Sequence, residues 1–217
     1  MIRIFDRENT VLNRFIAELR DVEIQKDSMR FRRNLERIGE IMAYEISKTL
    51  HYSPCTVETP LGEAETMLPD DDIVIATILR AGIPFQQGFL NYFDGAASAF
   101  VSAYRKHRKD GSFNVNVEYV SCPDLNGKTL LLVDTMLATG TSSVMVYDTL
   151  VERHGMPERT HVAAAIASEE GVGNLLEHMP AETMIWCGAV DAEMTRQSYI
   201  VPGLGDAGDL AYGRKRD

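Results

Sequence analysis

Hydrophobic and polar positions recur along this chain with two periods, and the period changes near residue 73. Val11, Leu12, Phe15, Ile16 and Leu19 return every three to four residues, which predicts a short amphipathic helix over 10–20. Met29, Leu35, Ile38, Met42, Ile46 and Leu50 predict a longer helix over 28–50. Its other face carries Arg30, Arg33, Arg37 and Glu40, read as a solvated face, with a subunit contact or an anion site as the sharper alternatives. From residue 73, apolar runs of strand length take over: IVIATIL (73–79), ASAFVSAY (97–104), TLLLVD (129–134), HVAAAIAS (161–168) and TMIWCGA (183–189). Helices are expected between them. AGIPFQQGFLNYF (81–93) has Pro84 in a first turn, and TSSVMVYDTLVERHG (141–155) has Thr141 or Ser142 as N-cap and Gly155 as its stop. EEGVGNLLEHM (169–179) supplies the third.

Strands alternating with helices predict an α/β fold with a mostly parallel sheet flanked by helices. Residues 105–128 break the rhythm. Turn pairs stand at Asp110-Gly111 and Asn126-Gly127, and NVNVEYV (114–120) alternates with period two, which predicts a β-hairpin flap instead of a crossover helix. In open parallel sheets ligands sit outside the carboxyl ends of the strands, where a flap could close over them.

Composition narrows the function classes. The 217 residues are 45% hydrophobic and 25% charged, as in an ordinary globular protein, and suit one domain. Twenty-two basic against thirty-two acidic residues leave a net charge of -10, which disfavours bulk nucleic-acid binding. Apolar runs such as 129–133 and 162–167 fall far short of the roughly 20 residues a membrane helix needs. The opening MIRIFDRENT has no apolar stretch, so a cytoplasmic location is expected. Cys55, Cys122 and Cys187 are scattered and odd in number, which fits inert reduced thiols better than a disulfide framework or a zinc site. The histidines (His51, His107, His154, His161, His178) show no ligand spacing and read as surface or structural residues.

Four segments carry candidate chemistry. In LLVDTMLATGTSS (131–143) an apolar strand ends in Asp134, a loop of small residues follows, and a helix begins. A tight loop at a helix N-terminus turns its N–H groups toward a phosphate, and Gly140 permits close backbone approach. An ordinary strand–turn–helix corner is the bland alternative. The segment is neither a dinucleotide fingerprint nor a P-loop. YIVPGLGDAGD (199–209) holds three glycines and a proline, which predicts a shaped loop with its backbone free to meet a ligand. ILRAGI (78–83) sets Arg80 at a strand end before Ala81 and Gly82, and AYR (103–105) ends the next strand in Arg105. The basic Lys106, Arg108 and Lys109 that follow read as a solvated loop tip.

Together these segments resemble the uracil phosphoribosyltransferase family, a branch of the type I phosphoribosyltransferases. The stretch D-x-M-L-A-T-G-x-S is similar to that family's loop for phosphoribosyl pyrophosphate (PRPP), with the single acid of the uracil branch. The C-terminal segment is similar to its uracil-binding signature, and Arg80 and Arg105 match its pyrophosphate-side arginines. The resemblance runs from the Arg30–Arg32 region to Asp209. The chain departs from the family pattern at Thr141, where glycine is usual, at Thr135, where proline is usual, over Ile83–Gln87, and through 106–118, which lacks the usual prolines.

The resemblance implies a phosphoribosyltransferase fold in one domain over 1–217, with an N-terminal helical arm (1–60), the flap (105–128) and a C-terminal base-binding hood (190–217). It implies that uracil and PRPP give UMP and pyrophosphate, a pyrimidine salvage reaction. Arg80 and Arg105 would stabilise the pyrophosphate and Asp134 would fix the ribose hydroxyls. Thr135, Met136, Leu137, Ala138, Thr139, Gly140, Thr141 and Ser142 would hold the 5′-phosphate. Backbone groups at Ile200, Gly205, Asp206 and Ala207 would read the base, with Asp206 also on the pyrophosphate side. Mg²⁺ is the implied cofactor, held through PRPP and water near Asp206 and not directly by the chain. A homodimer or larger assembly is expected. GTP activation occurs in part of the family and is left open here. The alternative is a catalytically weak or inactive homologue serving as a nucleotide-sensing or partner subunit.

Overall fold

In a computed structural model of the chain, the backbone is described for residues 1–107 and 113–215, and side chains for 1–102 and 118–215. Strand β1 (Ile2–Ile4) is followed by helices α1 (Leu12–Arg20) and α2 (Ser28–Ser47). Strands β2 (Tyr52–Thr59) and β3 (Gly62–Pro69) pair only with each other, as an antiparallel hairpin. Then come β4 (Ile73–Ile78), α3 (Gly82–Leu90), β5 (Ala97–His107), β6 (Phe113–Ser121) and β7 (Thr129–Leu137). They are followed by α4 (Thr141–His154), β8 (Arg159–Ser168), α5 (Glu169–His178) and β9 (Met184–Asp191). The chain closes with a two-stranded ribbon, β10 (Glu193–Met194) with β11 (Ile200–Val201), and the short helix α6 (Ala207–Tyr212).

The main sheet has seven strands in the order β1-β9-β8-β7-β4-β5-β6, all parallel except β6. Successive strand residues point to opposite faces, and the apolar runs fill both. Leu131 and Val133 of β7 join Ile75, Ala163, Trp186 and the apolar faces of α1, α2 and α3 in one core. Leu130 and Leu132 join Val74, Ala76, Val162 and Val146 of α4 in the other. This is the expected mostly parallel α/β architecture. No helix among the described residues is long and apolar enough to cross a membrane.

Several expectations need correction. The helical arm over 1–60 holds two helices but begins and ends in strand: β1 pairs with β9 at one sheet edge, and 52–59 starts the hairpin. The hairpin was not foreseen because its strands are exposed except for the half-buried Ser53 and Cys55, too little burial to write an apolar alternation into the sequence. The flap is a hairpin as expected, but its base lies in the sheet, where Phe100 pairs with Ser121 and a bulge intervenes at Ser102/Ala103. The Asp110-Gly111 turn and the basic pair Arg108 and Lys109 lie outside the described residues, as does the side chain of Lys106. Strand β7 runs past Asp134 to Leu137, because β8 offers partners as far as Ala167 and Thr135 and Leu137 are buried.

The arginine face of α2 is also less solvated than expected. Arg30 pairs with the buried Glu18 of α1 at 2.9 Å, and Arg37 lies 5.2 Å over the Phe15 ring. Arg30 and Asn34, with Arg14, hold the Glu18 carboxyl down to about 2 despite its burial. The cysteines are free as expected, and burial pushes the thiols of Cys122 up to about 11 and Cys187 up to about 12, so both stay protonated.

Candidate active site

The predicted site residues gather at the carboxyl ends of the parallel strands, around β4, β7 and β8, with the C-terminal segment laid over them. On β7, Asp134 accepts from the Met136 N–H at 3.3 Å, and the Ala138 N–H turns back to the Met136 carbonyl at 3.0 Å. The loop that follows is short. Thr139 and Thr141 hydroxyls meet at 3.1 Å, and α4 starts at Thr141. The N-cap is Gly140, not Thr141 or Ser142, and no side chain caps the helix. Gly140 adopts φ +74°, a left-handed conformation that favours glycine. No side chain takes up the first-turn N–H groups of α4, an arrangement whose dipole favours negative charge.

The loop is clamped from α5. Ser168, at the end of β8, donates to the Ala138 carbonyl at 2.5 Å and accepts from the Gly171 N–H at 2.8 Å. Asn174 donates to the Thr139 carbonyl at 2.7 Å. A Cβ on Gly171 would stand 2.3 Å from the Ala138 carbonyl oxygen, so loop and helix are in backbone contact. Sequence reading missed these supports because they lie about thirty residues downstream. It also passed over Ser143 in the first turn of α4, whose buried hydroxyl has no partner among the described residues.

Arg80 follows β4, beside the carboxyl end of β7: a Cβ on Gly82 would be 3.7 Å from the Val133 carbonyl. The Leu79–Arg80 peptide is cis. The guanidinium donates to Asp209 Oδ1 and the Gly213 carbonyl, each at 3.2 Å. Its buried Nε–H has no partner among the described residues. Arg80 thus touches the C-terminal segment, more than a hundred residues away in sequence. Arg105 lies on β5 opposite Val115, and its side chain is outside the described residues.

The C-terminal segment is more ordered than a plain loop. Ile200 and Val201 form β11, the Val201–Pro202 peptide is cis, and Ala207–Tyr212 is helical. Asp206 starts that helix by accepting from the Asp209 N–H at 2.9 Å. Ile200 and Ala207 are buried, while Gly205 and Asp206 are exposed. Ile200, Leu204, Ala207 and Ala211 pack into the core shared with α1 to α3. Arg32 of α2 donates to the Ala211 carbonyl at 2.7 Å and lies over the Tyr212 ring. Asp191, at the end of β9, is buried against Arg20 of α1 at 2.7 and 2.8 Å. An acid at a strand's carboxyl end was the available signal for Asp191; Arg32 lay only within the stretch where the resemblance begins, and nothing in the sequence marked Arg20.

The structure therefore brings Arg80, the 134–142 loop and the 200–209 segment to one end of the sheet. Among the described residues, no group of three or more His, Cys, Asp or Glu could hold a metal ion. Cavities of about 480 and 500 Å³ lie elsewhere, at the opening ends of β8 and β9 and along β1 and α5, and none of these residues lines them.

Comparison with known proteins bears on the family and the fold. A family model described as uracil phosphoribosyltransferase matches residues 7–214. The chain is 54% identical over 208 residues to a uracil phosphoribosyltransferase of Porphyromonas gingivalis, covering 96% of each chain. It is 39% identical to one of Pyrococcus furiosus, covering 91% of this chain and 84% of that one. A solved structure of an Aquifex aeolicus protein superposes with a TM-score of 0.86 at 28% identity, over 98% of both chains. A hypoxanthine phosphoribosyltransferase of Staphylococcus aureus, 13% identical with a TM-score of 0.51 over 74% of each chain, shares the fold.

Proposed function

The chain belongs to the uracil phosphoribosyltransferase family, and from that premise we propose how its residues carry out the family reaction. Uracil and PRPP are joined into UMP with release of pyrophosphate. The bond from the anomeric carbon to the pyrophosphate oxygen breaks, the bond from that carbon to the base nitrogen forms, and the nitrogen loses its proton. Positive charge builds on the ribose and negative charge on the leaving group, so catalysis consists of positioning and electrostatics. The observation that best supports this assignment of roles is the buried, unpartnered Nε–H of Arg80 beside Asp206–Asp209. It is a cationic donor aimed at no protein acceptor among the described residues, as a pyrophosphate site requires.

Arg80, with Arg105, stabilises the departing pyrophosphate. Asp134 orients the ribose hydroxyls. The N–H groups of residues 135–142, with the hydroxyls of Thr139, Thr141 and Ser142, hold the 5′-phosphate. The extra side chain at Thr141 is accommodated at the first position of α4, where it bonds Thr139. Backbone groups of Ile200, Gly205, Asp206 and Ala207 read the base edge. A backbone N–H facing the 4-oxo group of uracil meets the amino group of cytosine donor to donor, which costs about 1–3 kcal/mol.

Magnesium suits this donor set, since it keeps waters and takes phosphate oxygens, with the exposed Asp206 as the carboxylate that would meet its waters. Bound there, it supplies neutralisation of charge on the leaving pyrophosphate. We also propose a homodimer. A two-stranded hairpin standing alone is marginal in water, yet β2–β3 exposes Val57, Leu61, Met67 and Leu68. Light scattering of the chain with Leu61, Met67 and Leu68 changed to serine tests the assembly, and added GTP tests regulation.

The deciding experiment is UMP formation from PRPP with Mg²⁺, with cytosine, hypoxanthine and orotate as parallel bases. Turnover with uracil alone is the expected result. A folded protein that turns over none of the four overturns the reading.

A further inference from the structure

We propose that Arg20 and Asp191 form a clamp that sets the base-reading turn, making both of them positioning residues for uracil. The proposal rests on the reaction assigned above. Residues 200–206 pass from β11 through the tight turn at Pro202-Gly203 to the cap of α6. Both backbone polar groups of Gly203 are taken by this pair. Its N–H donates to Asp191 Oδ2 at 3.0 Å, and its carbonyl accepts from Arg20 Nη1 at 3.0 Å. The two clamp residues are themselves locked by a two-point ion pair, Nη1 to Oδ2 at 2.7 Å and Nη2 to Oδ1 at 2.8 Å. Arg20 Nη1 therefore bridges the carboxylate and the turn. Such a planar fork holds direction as well as distance.

What the clamp fixes is the backbone beside the base. Gly203 has φ +55°, and a Cβ there would lie 2.2 Å from the Ile200 carbonyl oxygen. The turn is thus folded onto Ile200, one of the groups assigned to read uracil. Asp191 lies at the end of β9, level with Ser168 of β8, so it refers the turn to the rigid sheet. Arg20 refers it to the last turn of α1. The side-chain exposures of 22% for Arg20 and 9% for Asp191 keep water from competing for these bonds. Neither residue is among those assigned to PRPP; the clamp holds Gly203 beside Ile200, so loosening it acts first on the base-reading turn and reaches the pyrophosphate side only through Asp206 at the far end of the segment.

Arg20→Lys keeps the charge but cannot span the carboxylate and the carbonyl together. Asp191→Asn keeps an acceptor for the Gly203 N–H but loses the ion pair. Steady-state kinetics of each variant, with uracil and PRPP varied in turn, test the proposal. KM for uracil is expected to rise about tenfold in Arg20→Lys, and less in Asp191→Asn, with KM for PRPP within about twofold and cytosine discrimination weakened. A structural role alone would lower the melting temperature and the active fraction and leave both KM values unchanged; that result in a folded variant overturns the proposal. Equal rises in both KM values also overturn it, because the clamp would then act on the whole site. Amide exchange of 200–206 without substrate separates this from failure of the reaction reading. If wild type turns over no base, unchanged exchange in Arg20→Lys removes the clamp as well, while faster exchange confined to the turn upholds it.

Discussion

Gly171→Ala offers a clean test of how the phosphate loop is held, because Gly171 touches the loop from beneath and is assigned no ligand. The added Cβ would stand 2.3 Å from the Ala138 carbonyl oxygen and 2.6 Å from that of Leu137, where ordinary contact begins at 3.4 Å. Loop and α5 must part by about 1 Å, and overpacking of this kind costs about 1–3 kcal/mol. For a chain of this length, each kcal/mol lowers the melting temperature by roughly 2–4 °C, so a fall of about 2–12 °C is expected. The same displacement weakens the Ser168 bond to Ala138 and swings the N–H groups of 138–142 away from the phosphate. A misplacement near 1 Å can cost on the order of 100-fold in rate, so kcat/KM for PRPP is expected to fall by about 10–100-fold. Calorimetry and initial rates at varied PRPP measure the two effects separately. A lowered melting temperature with kcat/KM for PRPP unchanged would refute the reasoning, since the loop could then shift without consequence for the reaction.

Asp206→Asn is expected to lower kcat by about tenfold or more while leaving the melting temperature nearly unchanged, because asparagine caps a helix as well as aspartate. Arg80→Gln removes the cation beside the departing pyrophosphate and is expected to cost about 100-fold or more in kcat/KM, read from pyrophosphate release. His161 gives a pH signature: burial, with the nearby Arg159 charge, pushes its imidazole down to about 4 from 6.5. The unfolded chain therefore takes up a proton that the folded one refuses, and stability that is full above pH 6.5 is lost as the pH falls toward 4, by up to about 3 kcal/mol. Denaturant midpoints between pH 7 and 4 are expected to fall less steeply in His161→Gln, which keeps an acceptor for the Trp186 indole N–H.

Much of the fold was legible because burial imposes local patterns. IVIATI and TLLLV are apolar on both faces, as only a strand covered by helices on both sides can be, and the helices between them are marked by Pro84 in a first turn, the Ser168 cap and the Gly155 stop. The phosphate loop was legible for a similar reason: small residues between an apolar strand and a helix have few other uses. The β2–β3 hairpin was not, since only Ser53 and Cys55 are half-buried and the rest of its residues face solvent. The helical stretch of 207–212 was hidden by Gly203, Gly205 and Gly208 around its start, and became visible only through the cap that Asp206 supplies.

The chain's own order of residues determined the α/β class, the alternation of strand and helix, and the four segments in which the chemistry is written. Each follows from interactions between residues a few positions apart, or from a resemblance those segments carry. Tertiary structure alone decided that Arg80 meets Asp209 across 129 positions, that Ser168 and Gly171 brace the loop at Ala138, and that Arg20 reaches Asp191 and Gly203. These contacts depend on which strand lies beside which, and on helices from the start of the chain packing over its end. Local periodicity carries no record of that choice; it is made by the burial of the whole sheet.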